Sequence, residues 1–279
     1  MSVAVVVDSA SDLPEERAEA LGIVRVPLTI SIGGRDYLDG SDLSRERFWE
    51  LSATSAELPM TAAPSPGQFS EAFTRCLDEG ADGVICLTLT SKLSATFQAA
   101  SAAAEAFPQV RTVDTRTLTL GEGLIALDVA EAARAGANLE ELAARAEALR
   151  ERVLTLGALD TLDNLRRGGR IGAATALIGT MMSFKPMIAI TEGVVEPAGR
   201  QRTRRRAVEA LLEWAAALEN PIRVGLVHAM AADAGDVASR LREVTAVEEV
   251  VVSVMGATIG THAGAGALGV SAMLAAAPS

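Results

Sequence analysis

Short runs of β-branched and other apolar residues alternate with longer segments whose apolar positions recur at helical spacing. In the first half, Val3–Val7, Gly83–Leu89 and Val110–Val113 have the composition of buried strands. Helices are predicted between and after them, for example at residues 120–135 and 139–152. This alternation of strands and helices predicts a parallel sheet with helices packed on it, an α/β fold.

Local signals set some of the boundaries in the first half. Asp12, followed by Pro14 and Glu15, has the spacing of a helix start and predicts Asp12 as the N-cap. Apolar and polar residues alternate over Val24–Ile32, which predicts a single strand there. The glycine pair that follows, Gly33-Gly34, predicts a turn at the end of this strand.

The pattern changes after about residue 153, where a second α/β unit begins. Its predicted strands are Leu154–Leu159, Pro186–Ile190, Val194–Pro197, Ile222–His228 and Val250–Val254, and its predicted helices are 204–218 and 233–244. We therefore predict two domains, residues 1–153 and 154–279.

The stretch from Val250 to Ser279 has no charged residue and is long enough to cross a bilayer. Its glycines, hydroxyl residues and His262 are typical of a loop instead. We predict strand, glycine-rich loop and strand, buried in a soluble protein without a transmembrane segment. No basic and apolar leader is recognisable, and Cys76 and Cys86 form no CxxC, so we expect a cytoplasmic protein.

Composition and motifs exclude several classes of function. The 279 residues carry 25 basic and 36 acidic side chains, a net charge of −11, and only 3% are aromatic. This balance argues against nucleic acid as a partner. The chain has no P-loop and no H-E-x-x-H, and its G-x-G-x-x-G match at 264–269 precedes an acid-free segment. We therefore expect neither a nucleotide cofactor nor a metal.

Hydroxyl-rich loops follow the predicted strands of the first half, at 8–12, 59–66 and 90–96. The carboxyl ends of parallel strands form the ligand crevice of open α/β sheets, and small hydroxyls there can donate to an anion. Helix capping explains such residues equally well, and it is the preferred interpretation for Ser91. For Thr61 and Ser94, anion binding and helix capping both remain open as interpretations.

His262 is one of two histidines in an arginine-rich chain. It lies next to Gly260 and Thr261, in a segment that allows the backbone to approach a ligand closely. A satisfied core histidine is the alternative. His228, at the end of a predicted strand, is interpreted as structural.

Two basic clusters are exceptions in this acidic chain. One comprises Arg166, Arg167 and Arg170, and the other comprises Arg200, Arg202, Arg204, Arg205 and Arg206. They fit either solvated helix starts or a docking surface for an acidic or phosphate-bearing partner.

Eight segments in sequence order together resemble the DegV family. They are VVDSASDLP, VPLTISIGGRDYLDG, TAAPSPGQF, LTSKLSATFQAA, VDTRTLTLGEGL, LDNLRRGGRIG, FKP and GTHAGAGALG. The resemblance extends over essentially the whole chain. It implies two α/β domains, the N-terminal one a three-layer unit with a parallel sheet and the C-terminal one a two-layer unit with a mixed sheet.

The resemblance also implies a function. One long-chain fatty acid would lie in a tunnel between the domains, with its carboxylate held by Thr61, Ser94 and His262. The further ligand-binding residues that we expect are Ser91, Thr96, Gly260 and Thr261. The chain itself would catalyse nothing.

A separate ATP-binding fatty acid kinase subunit would phosphorylate the presented carboxylate, giving acyl phosphate for phospholipid synthesis. The docking candidates for that subunit are Arg170, Arg202, Arg204 and Arg205. Fatty acid exchange through transient membrane contact belongs to the same hypothesis.

One residue departs from the family pattern, because Ala95 stands where the family usually has glycine. This puts chain-length preference in question more than binding. A serine hydrolase with Ser94 as nucleophile and His262 as base is the main rival, although no third acid is recognisable. A binder of dihydroxyacetone-type molecules is the second rival, and a protein whose only role is structural or regulatory is the third.

Overall fold

The structure is a computed structural model that describes residues 2–276, with the backbone alone for residues 178–183. The strands are β1 (Val3–Asp8), β2 (Val24–Val26), β3 (Thr29–Ile32), β4 (Arg35–Leu38), β5 (Met60–Ala62), β6 (Gly83–Thr88), β7 (Val110–Asp114), β8 (Val153–Ala158), β9 (Lys185–Thr191), β10 (Val194–Gln201), β11 (Pro221–His228), β12 (Val250–Val254) and β13 (Leu268–Leu274). The α-helices are α1 (Glu15–Leu21), α2 (Arg45–Thr54), α3 (Pro66–Asp78), α4 (Thr96–Ala104), α5 (Leu120–Arg134), α6 (Leu139–Arg150), α7 (Asp163–Arg167), α8 (Arg204–Ala216), α9 (Ala234–Thr245) and α10 (Ala257–Ala263). Two 3₁₀ segments span Ser9–Ser11 and Gly172–Ser183.

The first half is built around a parallel sheet with strand order β2-β1-β6-β7. Val6, Val84 and Cys86 on one face pack against α3 and α4, whose Phe69 and Phe73 lie in the same cluster. The other face packs against α5 and α6. Helices on both faces explain why these strands read as continuous apolar runs. This confirms the predicted α/β class with a parallel sheet in three layers.

The second half is built around a six-stranded sheet with order β10-β9-β8-β13-β11-β12. Only β11 and β12 among these neighbours are parallel, so the sheet is mixed, as the family resemblance implies. Leu156 and Ala158 of β8 point to the face covered by α8 and α9. Val153 and Leu159 belong to the cluster on the opposite face, which faces α5 and the first half.

A small antiparallel sheet with order β4-β3-β5 corrects one prediction. Val24–Ile32 is not one strand, because β2 ends at Val26 in the parallel sheet and β3 begins at Thr29 in the antiparallel one. Pro27 between them has no N–H for a sheet hydrogen bond, so the chain changes sheets there. The change brings β5, with Thr61, onto β3.

The predicted N-cap at Asp12 is also wrong. Helix α1 begins at Glu15 after Pro14, and no side chain caps it. Asp12 has φ of 50° and is almost fully buried, where its carboxylate accepts hydrogen bonds from the Thr119 hydroxyl at 2.6 Å and the Gly256 amide at 2.7 Å. Donors distant in sequence therefore bind this carboxylate in place of the amides of its own helix.

The predicted glycine-rich loop near the C-terminus is a helix. Strands β12 and β13 confirm the flanking prediction, but α10 occupies residues 257–263 between them. Gly260 lets α10 approach α2, since a Cβ there would lie 2.7 Å from Phe48 and 2.8 Å from Trp49. The last three residues of the predicted segment, 277–279, lie outside the described residues. No helix within the described residues is long and apolar enough to cross a bilayer.

Candidate ligand site

A cavity of about 200 Å³ lies between the inner face of the mixed sheet, α10 and the loops of the first half. Most of its lining side chains are aliphatic, such as Leu159, Ile188, Ile190 and Val227. Polar side chains are fewer and include the group Thr61, Ser94, Arg170 and His262. An apolar cavity with a few convergent polar groups is the usual form of a small-molecule site.

Thr61 and His262 form the first polar pair of the cavity. Thr61 is central in the edge strand β5, opposite Ile30, and His262 lies in the last turn of α10. Thr61 Oγ1 and His262 Nε2 are 3.0 Å apart. If Nε2 carries the proton and donates it to the threonine oxygen, the threonine hydroxyl stays free to donate into the cavity.

The His262 ring is largely buried. Burial, reinforced by the positive charge of Arg170, lowers the pKa of His262 to about 4, so the imidazole is neutral at pH 7. Its Nδ1 is buried and has no hydrogen-bond partner in the described part of the chain. Gly168 packs against this edge of the ring, and a Cβ there would lie 2.5 Å from Nδ1.

Ser94 and Thr96 form the second polar pair. Their hydroxyl oxygens are 2.8 Å apart, and the Thr96 amide donates to Ser94 Oγ at 3.3 Å. Thr96 is fully buried at the start of α4, whereas Ser94 lines the cavity. Ala95 between them is exposed at the cavity wall with φ of −81°, so the backbone does not require glycine there.

The other predicted ligand-binding residues lie outside the cavity lining. Thr261 is buried and donates its hydroxyl to the Ala257 carbonyl at 2.8 Å. Gly260 faces the aromatic rings of α2. The Ser91 amide donates a hydrogen bond to the Asp114 carboxylate at 3.2 Å. The structure therefore brings Thr61, Ser94 and His262 to one cavity, whereas Ser91, Thr96, Gly260 and Thr261 are not part of its lining.

Two carboxylates of the first half hold the start of α10. Asp12 accepts from the Gly256 amide at 2.7 Å, and Asp39 accepts from the amides of Ala257 and Thr258 at 3.2 and 3.0 Å. Asp39 also accepts the Thr258 hydroxyl at 2.5 Å. Carboxylates next to a helix N-terminus satisfy its free N–H groups and oppose its dipole. The orientation of α10, and with it the position of the imidazole, is thus set from the opposite half.

The predicted docking arginines fall into two groups. Arg170 lines the cavity and donates to the carbonyls of Leu93 at 3.1 Å and Gly168 at 2.7 Å. Arg204 binds both carboxylate oxygens of Asp233, at 2.8 and 3.1 Å, and donates to the Gly266 carbonyl at 2.7 Å. Arg202 and Arg205, by contrast, are exposed.

Three other basic side chains, His228, Lys185 and Lys92, lie outside the cavity lining. His228 lies in β11, where its Nδ1 accepts from the Ala231 amide at 3.1 Å. Lys185 pairs with Asp160 at 2.9 Å, and Lys92 is exposed. Among residues 2–276, no three His, Cys, Asp or Glu side chains are grouped to hold a metal ion.

The geometry does not form a hydrolytic triad in the described residues. His262 Nε2 is hydrogen-bonded to Thr61 Oγ1, and Ser94 Oγ is hydrogen-bonded to the Thr96 hydroxyl. Nδ1 of His262 has no acidic partner to orient the ring as a general base.

Comparison with known proteins places this arrangement in a family. A family model described as "Uncharacterised protein, DegV family" matches residues 2–275. The chain belongs to the DegV family. A DegV domain-containing protein of Streptomyces coelicolor is 39% identical over 96% of this chain and 97% of its own length.

Solved DegV structures have the same fold. A DegV family protein from Thermus thermophilus, described with fatty acid binding, superposes with a TM-score of 0.87 at 35% identity, over 99% of this chain and 100% of its own. DegV from Bacillus subtilis, described as a fatty acid binding protein, superposes with a TM-score of 0.85 at 31% identity, over 99% of this chain and 100% of its own.

Sequence analysis missed Asp12, Asp39, Asn164 and Gly168 as residues that position the site. Asn164 donates to the Thr261 carbonyl at 2.9 Å and so fixes the end of α10. All four residues fall inside motifs that carry the DegV resemblance, which was a usable signal. The pairings of Asp12 with Gly256 and of Asp39 with Ala257 and Thr258, by contrast, leave no trace in local spacing.

We expect Asp39→Ala to destabilise α10 and with it the fold. The change leaves the buried amides of Ala257 and Thr258 without an acceptor, which costs about 2 kcal/mol or more. Urea unfolding gives the free energy, and hydrogen exchange at the Thr258 amide locates the loss. Asp42→Ala, which removes an exposed carboxylate that accepts from the Leu38 amide at 2.5 Å, is the control. Equal effects of the two variants would contradict this role of Asp39.

Proposed function

We propose that this protein binds one long-chain fatty acid, with the acyl chain in the cavity on the inner face of the mixed sheet and the carboxylate at Thr61, Ser94 and His262. The observation that carries the proposal is the juxtaposition, in one aliphatic cavity, of two hydroxyl groups each backed by a second polar group. Relatives described as fatty acid binding proteins support the same ligand class.

The polar group suits a carboxylate. A buried carboxylate is costly unless it accepts hydrogen bonds. Thr61 can donate its hydroxyl while accepting from His262, and Ser94 can do so while accepting from Thr96. The guanidinium of Arg170 at the same cavity adds a positive charge that favours an anion.

The apolar lining suits an acyl chain. Each buried methylene contributes about 0.8 kcal/mol, so a chain of about 16 carbons has a gross driving force on the order of 10 kcal/mol. A sugar-like ligand such as dihydroxyacetone would leave most of the aliphatic lining without a partner. The lining therefore favours a lipid.

Native mass spectrometry of the protein purified from cells, followed by lipid extraction, tests the proposal. We expect one bound fatty acid per chain. Thr61→Val and Ser94→Ala should each weaken fatty acid binding by about 10- to 100-fold, because each removes one donor to a charged group. Ser91→Ala, outside the cavity lining, is the matched control and should bind normally. A protein without bound lipid, and without affinity for added fatty acid, would refute the function.

The pKa of His262 should respond to the carboxylate of a bound fatty acid. We expect the pKa of His262 to rise from about 4 on fatty acid binding, because a nearby anion stabilises the imidazolium. The charged form, a minor species at pH 5 in the unliganded protein, should then be populated at higher pH. NMR titration of the two imidazole rings with and without oleate measures this, and His228, held by the Ala231 amide, is the internal control. An unchanged His262 titration would place the carboxylate elsewhere.

We further propose, from the family resemblance, that a separate ATP-dependent kinase subunit phosphorylates the bound carboxylate in the cytoplasm. Arg202 and Arg205 are the docking candidates, because Arg170 and Arg204 are engaged within the fold. Combining Arg202→Glu with Arg205→Glu should lower formation of acyl phosphate by the kinase chain of the same organism, trapped as the hydroxamate, and leave fatty acid binding intact. Arg134→Glu, at the end of α5, is the charge-matched control. Undiminished acyl phosphate would remove these arginines from the docking surface.

A further inference from the structure

The floor of the cavity contains two adjacent glycines on the two central strands of the mixed sheet. Gly157 of β8 pairs with Gly269 of β13, and their outer neighbours in the same row are Ile188 of β9 and Val227 of β11. All four residues line the cavity. Because Gly157 and Gly269 have no side chains, they leave a depression in the sheet surface between Ile188 and Val227. This depression is called the glycine trough below.

Backbone conformation does not explain Gly157. Its φ lies outside the left-handed region, so any L-residue fits the backbone. A Cβ there would lie 3.4 Å from Ile188 and 3.6 Å from the Leu268 carbonyl oxygen, which are ordinary contacts. Glycine in a central strand weakens the sheet and often marks the close approach of a ligand. The free volume above Gly157 therefore belongs to the cavity rather than to the protein core.

Gly269 complements Gly157 in a different way. A Cβ at Gly269 would lie 2.9 Å from Val227, so a side chain there would displace a neighbour. Gly269 is thus fixed by packing, and Gly157 is the position of the trough at which side-chain size is free to vary.

The row beyond the trough closes part of the cavity. It consists of Ile190, Thr155, Ser271 and Gly225. Ile190 and Thr155 line the cavity, but at Gly225 a Cβ would lie 3.0 Å from Leu120 of α5. Helix α5 therefore rests directly on the sheet at this row and closes the β11 side.

The trough lies between the polar group and this closed row. Strand β8 leads into α7, and Gly168, just after α7, touches the His262 ring. Strand β13 begins five residues after α10 ends at Ala263, with Leu268. The α10 edge of the sheet is therefore the end nearest His262, and successive rows lead away from it in steps of about 6.6 Å.

We infer that the glycine trough seats the middle of the acyl chain and that residue 157 sets the chain length that the protein accepts. This inference rests on the proposed fatty acid function and adds the residue that determines selectivity. A side chain at 157 would fill the trough, so the part of the acyl chain beyond it could no longer be buried. Fatty acids short enough to end before the trough would still bind.

Affinities of Gly157→Ala and Gly157→Leu for saturated fatty acids of about 12 to about 18 carbons test the inference. We expect the leucine variant to lose about fourfold in affinity for each methylene that it excludes, so that the preference moves to shorter chains. The alanine variant should shift the preference less in the same direction. Gly235→Ala, where a Cβ at the start of α9 meets nothing within 4 Å, is the control and should keep the native preference.

The outcomes separate the two proposals. Native protein that binds no fatty acid of any length refutes the proposed function, and the trough inference with it. Native binding with an equal loss for all lengths in both variants, or with no change, refutes the trough inference alone. Thermal unfolding of each variant verifies the fold, and the alanine variant carries the test if the leucine variant does not fold.

Discussion

The position of the site depends on how two buried carboxylates bind the first amides of α10. A helix of seven residues that contains a glycine is too short to be stable in water by itself. Asp12 and Asp39 provide acceptors for its three leading N–H groups, and Gly260 allows it to pack against Phe48 and Trp49. His262 has a defined position only because this helix forms.

Asp12 is one of several buried carboxyl groups in the first half of the chain, together with Asp8 and Glu122. Burial raises the pKa of Asp8 to about 7 and that of Asp12 to about 6, and it raises the pKa of Glu122 well above its ordinary range. Backbone amides oppose the shift at Asp8, and the charge of Arg45 opposes it most at Asp12. For a carboxyl group whose pKa is higher in the folded state, stability is greatest below the unfolded pKa and declines as pH rises through the folded one. The burial of these three carboxyl groups therefore lowers the free energy of unfolding as the pH rises toward 7.

Sequence reasoning predicted the elements whose signals are local. The buried strands, the α/β class and the presence of Thr61, Ser94 and His262 in loops or segments that line one cavity all followed from composition, spacing and family motifs. The errors at Asp12, Val24–Ile32 and α10 share a cause, because in each case partners distant in sequence decide the local structure. The significance of Gly157 was equally invisible, since it depends on strand register.

The origin of α10 has a consequence for how the ligand leaves. Its chain segment belongs to the second half of the sequence, but the acceptors that hold its first turn come from the first half. Any movement that separates α10 from the first half breaks these acid–amide contacts and moves His262 away from Thr61 in the same event. Under the proposed function, a ligand carboxylate bound by both Thr61 and His262 therefore stabilises the arrangement in which these contacts are intact.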